Sequence, residues 1–400
     1  MRTVSKTVIG VDFGTQSARA VLVNAENGEI IYSCRKEYHY NSTPVPAIDC
    51  AENLPCATDY EMTLYELLCN VIPEEYRKTV AGICIDATSL TMVLLAEDGR
   101  ALSELDGWSE AAHARVKLWK YHRAQEKADE ALNLASNLQE PFLGRTGGSI
   151  SCEWMLPKLL EVRDEAPEIY SKIDLAMDLC EFLTFRLTGQ LVRSIGSLSY
   201  KCLWAEDLSF PERTFLNGLR AGFYEEYCHF LRGDVRKPGE CAGMLRSELT
   251  KRWGLPEQIP VATGMLDGHT SLATMGAFEP GDAALIVGTS NVCTVQNRKL
   301  QELKDVCGVA QDGMVTGSCG IDTGQSSTGN MLGWFVEHMA GWQIHREAEE
   351  RKISPHQVLA ERIQKPWENK VIAVDWWSGS RNAPCDLTLR GSMSGLEMDT

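Results

Sequence analysis

The sequence predicts an α/β protein in two units that share one plan around a cleft, and three observations carry that prediction. Residues 7–35, reading TVIGVDFGTQSARAVLVNAENGEIIYSCR, alternate apolar and polar positions around two turns, as a three-stranded meander does. Far along the chain, residues 282–295 repeat the strand, small polar turn, strand pattern. Between the two, strand-like runs alternate with helical spacings, the signature of a mixed sheet with helices packed on it.

The meander's first tip holds Asp12, then Gly14, Thr15, Gln16 and Ser17. Gly14 lets backbone approach a ligand closely, and the amides and hydroxyls of Thr15 to Ser17 can cradle a phosphate. Asp12 stands where a divalent cation on that phosphate needs an oxygen ligand. An ordinary polar hairpin tip explains the same residues. Asn27-Gly28 closes the second turn.

The next elements follow from periodicity. Residues 38–57 hold several prolines and read as loop, Tyr60 to Ile72 as a helix, and Val80 to Ile85 as a buried strand ending in Asp86-Ala87-Thr88-Ser89. Thr91 to Ala96 is a further strand closed by Asp98-Gly99. Val116 to Ala131 reads as a helix, as does Ser149 to Arg163 with Ser151 as its cap. Asp178 to Leu187 is a helix stopped by Thr188-Gly189, where glycine takes up the left-handed turn. Gly196 to Lys201 reads as polar loop, and Phe210 to Trp253 as mostly helical with a break at Pro238-Gly239.

The pattern changes at Pro260, so the boundary is expected near Leu255-Pro256, giving units 1–256 and 257–400. Val261 to Gly264 is a short strand, followed by Asp267 and a helix of small residues to Met275. Asp282 to Val287 is a strand running into Gly288, Thr289 and Ser290, with Val292 to Val295 returning from that turn.

Composition excludes several functions. The 400 residues are 44% hydrophobic and 24% charged, as in soluble globular proteins. A net charge of −16 argues against nucleic acid or an anionic membrane as partner; an anionic substrate needs a local cluster of donors. No apolar run approaches the ~18 residues of a membrane span, and the first strand begins too early for a signal peptide. The 14 cysteines are scattered without a C-x-x-C, with Cys50 and Cys56 the nearest pair, and the 8 histidines show no H-x-x-x-H pairing. Reduced thiols in a cytoplasmic protein without a structural metal are the expectation.

Three stretches together carry a family. VIGVDFGTQSARAVL, GMLDGHTSLATMGAF and ALIVGTSNVCTV resemble the FGGY carbohydrate kinases, and most of all the ribulokinase branch. VKLWKYHRAQEKADE, GGSISCEWMLPKLLEV, SYKCLW, GIDTGQSSTGNMLGWF and VDWWSGSRNAPCDLTLRGSMSGL extend the likeness to the chain's end. The resemblance implies the duplicated, ribonuclease H-like fold of actin, hexokinase and Hsp70. It also implies ATP and Mg²⁺ as cofactors, a small sugar as substrate and a cytoplasmic setting, with assembly open and a homodimer one option.

By the same resemblance Asp12 matches the cation-proximal aspartate, Gly14, Thr15, Gln16 and Ser17 the first phosphate loop, and Gly288, Thr289 and Ser290 the second. Asp267 matches the catalytic base. Ala87, Trp119, Lys120, Lys201 and Asp322 fall where the sugar pocket is lined. The expected activity is phosphorylation of the terminal hydroxyl of a ketopentose such as ribulose. Xylulose, a pentitol or glycerol is the alternative acceptor, and an actin- or Hsp70-type nucleotide switch or an inactive fragment the alternative of another kind.

The chemistry agrees with these positions. Phosphoryl transfer asks a protein to position donor and acceptor and to offset charge. A carboxylate at Asp267 can accept the hydroxyl proton; a helix cap is its plain structural reading, and one residue can do both. Lys201 between Tyr200 and Trp204 reads as a pocket residue or a solvated charge, Trp119 as partly core, and Asp322 between Gly320 and Gly324 as a pocket or turn residue. Glu153, Asp178, Glu181 and Arg186 read as helix surface or structural pairs. The ribulokinase pattern has glutamate where Asp322 stands, and Tyr121 and Asn330 replace more polar or acidic choices. Family members run roughly another hundred residues, an ordinary domain's worth of adenine-side segment, so the second domain is expected to be cut short at Thr400.

Overall fold

The computed structural model describes residues 6–38, 54–288, 290–363, 371–382, 386 and 388–396. The loop expected over 38–57 lies mostly outside them, as does Thr289.

Alternation builds the first sheet as read. In the Thr7–Phe13 strand, Thr7, Ile9, Val11 and Phe13 are buried while the residues between them are partly exposed. The strand pairs antiparallel with Ser17–Asn24, which pairs with Ile30–Glu37, so the meander is confirmed. On its other side it runs parallel to Val80–Ala87, with Asp12 beside Asp86. Pro260–Ala262 and Met265–Leu266, just past the expected boundary, also pair in parallel with the Val80–Ala87 strand. Cys241–Met244 closes the far edge. Three parallel strand paths, the last made of Pro260–Ala262 and Met265–Leu266 in succession, therefore deliver their carboxyl ends to one place, where α/β folds bind ligands.

Behind this sheet lies an apolar core of Ile9, Val11 and Ile85 from the strands and Tyr60, Leu64, Leu68, Phe182 and Leu183 from the helices Ala57–Val71 and Leu179–Thr188. Asp178 caps the latter helix and Gly189 ends it at φ 71°, as the sequence predicts. A second, helical core gathers Ala128, Ala131, Leu159, Leu160, Phe215 and Tyr227. The later strands form a four-stranded antiparallel sheet in the order 283–287, 291–297, 319–325, 308–311.

Four expectations are corrected. Residues 116–124 are irregular, and the helix is Gln125–Leu138, because Lys117 bridges to Met92 and the Lys117 and Leu118 carbonyls accept from the buried Lys158 ammonium instead of from helical amides. Ser151 accepts from the Glu153 amide at 3.2 Å instead of capping the helix, which begins at Met155. Gly196 to Lys201 is not loop: Ile195–Lys201 is a buried helix, its polar residues satisfied internally. Residues 210–253 include two strands, Asp234–Arg236 and Cys241–Met244, around the predicted break.

Candidate active site

Both sheets and the helical layer line one cleft of about 870 Å³. At its floor stand Asp12, Asp86 and Asp267, one from the end of each parallel strand path. Strand spacing alone puts Asp12 and Asp86 side by side. Asp267 opens the Asp267–Met275 helix, and its Oδ1 accepts from the Gly268 amide at 2.7 Å.

Like charges crowded in a poorly hydrated floor resist ionisation. Burial, then the neighbouring Asp12 and Asp267, push Asp86 up to about 8. Its Oδ1 is buried without a hydrogen-bond partner among the described residues. Burial lifts Asp267 to about 7, with Asp12 and Asp178 adding to the rise and the Gly268 amide and Lys201 opposing it.

Two glycine turns face this floor. Gly14 closes onto the Ser17 carbonyl at 3.1 Å, and Gly288 onto the Ser290 carbonyl at 3.0 Å. A Cβ on Gly14 would come within 3.2 Å of that carbonyl, so the tight turn favours glycine. Gly14, Thr15, Gly288 and Ser290 line the cleft. Gln16 and Ser17 do not: Gln16 is exposed, and the buried Ser17 hydroxyl accepts from Arg35 at 3.1 Å.

The opposite end is built from charge pairs. Lys201 Nζ donates to Asp322 Oδ2 at 3.1 Å, joining the Ile195–Lys201 helix to the Cys319–Gln325 strand. Burial would raise Asp322, but Lys201 and then His269 outweigh it and hold its carboxyl well below the usual carboxylate range. His269 Nε2 lies 3.7 Å from Asp322, and burial pushes this imidazole toward the neutral form. Tyr200 packs edge-on against His269 and donates to the Gly320 carbonyl at 2.7 Å.

Trp119 lines the cleft and donates its indole N–H to Thr15 Oγ1 at 3.0 Å. Ala87 is fully buried in the first core, and neither it nor Lys120 lines the cleft. Tyr121 points away, donating to Glu161 at 2.8 Å, and Asn330 is exposed.

Asp86, Glu153, His269 and Arg381 line the cleft and were not singled out by sequence reasoning. Asp86 had a signal: it ends its strand before small hydroxylated residues, as Asp12 does. Of the two readings open for Glu153, helix surface or structural pair, the second holds: it is buried and paired with Arg381 at 3.1 Å. That partner is too distant in sequence for any local pattern to show. Glu181 and Arg186 are structural pairs as expected, with Arg193 and Glu61 respectively.

Glycine turns over a floor of clustered carboxylates suit a phosphotransferase, and the chain belongs to the FGGY family of carbohydrate kinases. The model of that family's N-terminal domain matches residues 7–274, and the model of its C-terminal domain matches residues 283–400. The chain is 32% identical to a ribulokinase of Halalkalibacterium halodurans and 35% identical to one of Mycolicibacterium smegmatis; each match covers 99% of this chain and 72% of the relative. Its fold is shared with a gluconate kinase from Lactobacillus acidophilus, at TM-score 0.76 and 19% identity over 98% of this chain and 73% of that one. A xylulose kinase from Rhodospirillum rubrum aligns at TM-score 0.76 and 18% identity, over 99% and 74%. The expected fold and enzyme class stand. As a carbohydrate kinase it takes a sugar and ATP as substrates.

Proposed function

We propose that this kinase phosphorylates the terminal hydroxyl of a ketopentose, ribulose before xylulose, pentitols or glycerol. The observation that carries the reading is the placement of Asp267 on the cleft floor between two glycine turns and the Lys201–Asp322 pair. The ribulokinase relatives support the choice of sugar.

In this reading Asp267 accepts the proton of the attacking hydroxyl. An affinity for protons near neutrality suits a general base, which must be ionised before attack and protonated after it. Lys201, Asp322 and Trp119 orient the sugar so that this hydroxyl faces the phosphate donor. Gly14, Thr15, Gly288 and Ser290, which line the cleft, present amides and hydroxyls to the phosphates.

Mg²⁺ fits the floor. Among the described residues no group of three or more His, Cys, Asp or Glu is arranged to hold a metal by itself. Magnesium keeps waters and phosphate oxygens among its ligands and needs only one or two carboxylates. Asp12 and the orphaned Oδ1 of Asp86 would hold it, and it would offset charge on the phosphates. No helix among the described residues is long and apolar enough to cross a membrane. The cysteines that the structure describes are free thiols, which suits a reducing, cytoplasmic setting.

The test is an ADP-release screen of the purified protein against ketoses, pentitols and glycerol. Sugar-dependent turnover fastest with ribulose is expected. Sugar-independent ATP hydrolysis alone would overturn the reading.

A further inference from the structure

Arg381 brings to the cleft a donor that the protein leaves unused. Its Nε is buried and finds no acceptor among the described residues, although the side chain is otherwise tightly held. Nη2 meets Glu153 Oε1 at 3.1 Å, and the guanidinium lies over the Trp119 ring, 5.0 Å from its centroid. Glu153 is in turn held by His122 Nε2 at 3.1 Å.

The next side chain is tied to the other sheet: Asn382 Nδ2 donates to the Gly324 carbonyl at 2.7 Å and its Oδ1 accepts from the Thr323 hydroxyl at 3.1 Å. Arg381 thus reaches from the strand carrying Asp322 to the wall carrying Trp119. A buried guanidinium donor without an acceptor is costly, and a ligand oxygen would relieve that cost.

The charges around it name the ligand class. Arg381 is matched by Glu153 and Lys201 by Asp322, each pair largely buried. Among the described residues this end of the cleft therefore offers directional hydrogen bonds without an unpaired cation. A neutral polyhydroxyl compound satisfies it; a sugar acid or sugar phosphate would need a cation that is already taken.

We propose that Arg381 is a specificity-determining residue, its Nε donating to a hydroxyl or carbonyl oxygen of a neutral sugar while Glu153 cancels its charge and Trp119 sets its plane. The inference rests on the kinase reading above and deepens it.

The test compares wild type, Arg381→Met and Glu153→Gln by steady-state kinetics with a ketopentose and with an aldonate of equal length, folding being checked by thermal melting. Arg381→Met should raise the sugar KM about 10- to 100-fold, the worth of a charge-assisted hydrogen bond, and leave the KM for MgATP within about threefold. Glu153→Gln frees the guanidinium charge, so the aldonate-to-ketose ratio of kcat/KM should rise about tenfold. An unchanged sugar KM in Arg381→Met, or both KM values rising together, would reduce Arg381 to a strut between the two walls. Should Arg381→Met not fold, an unchanged ratio in Glu153→Gln overturns the inference alone. A folded wild type that turns over neither compound overturns the kinase reading and this inference with it.

Discussion

The indole N–H of Trp119 donates to the hydroxyl of Thr15 at 3.0 Å, so a residue of the proposed sugar end is bonded to a residue of the proposed phosphate end. Trp119→Phe keeps the ring beneath Arg381 and removes only that bond, worth about 1 kcal/mol net. Sugar and a non-hydrolysable ATP analogue should then lose most of their mutual effect on affinity, measured by titrating each with and without the other. A double-mutant cycle with Thr15→Val checks the pair: if the two substitutions are additive in the coupling, the bond carries none of it.

Asp267→Asn should lower kcat by about 10²- to 10⁴-fold while the sugar KM stays within severalfold, because a base acts in the transition state. Near wild-type turnover would leave Asp267 only its hydrogen bond to the Gly268 amide.

Asp267 held up to about 7 must be ionised to act, so kcat/KM should climb as pH rises through that region. The groups facing it are Asp12 and Asp86 from the strands, Asp178 from the neighbouring helix start and Lys201 from the Ile195–Lys201 helix. Removing a neighbouring negative charge should move the limb to lower pH; Asp178→Asn lies outside the proposed phosphate and metal positions, and a thermal melt checks that its bonds to Leu90, Leu179 and Ser197 survive. A pH–rate profile of the two proteins decides.

Asp86 is held up to about 8 in the folded chain, against about 4 when unfolded. The folded state therefore keeps a proton that the unfolded state releases, and the penalty for losing it grows between those two values. Asp86→Asn should raise Tm at pH 8 to 9 and change it little near pH 4. Thermal melts of the ligand-free protein across that range would show an equal shift at every pH if the charge is irrelevant.

Asp322→Glu should change the ranking of sugars more than the rate with the best one. The longer carboxylate disturbs the Lys201 pair and presents its oxygens at a new place, and mismatched buried hydrogen bonds discriminate strongly. A uniform change in kcat/KM across a ketopentose panel would remove Asp322 from specificity.

The sequence by itself determined the local parts. Alternation specified the meander, Gly189 the end of its helix, and Gly14 and Gly288 two tight turns, because each depends on residues a few positions apart. Only the tertiary structure decided what those parts meet. Gly196 to Lys201 reads as polar loop in isolation, yet it is a buried helix because Ser197 finds Asp178 at 3.0 Å and Lys201 finds Asp322. Glu153 reads as helix surface or a structural pair, and only the fold names its partner, Arg381. Asp86 becomes part of the site because a parallel register sets it beside Asp12. Charges buried in this way are tolerable only with partners or repulsions that chain topology supplies, and no local pattern records which those will be.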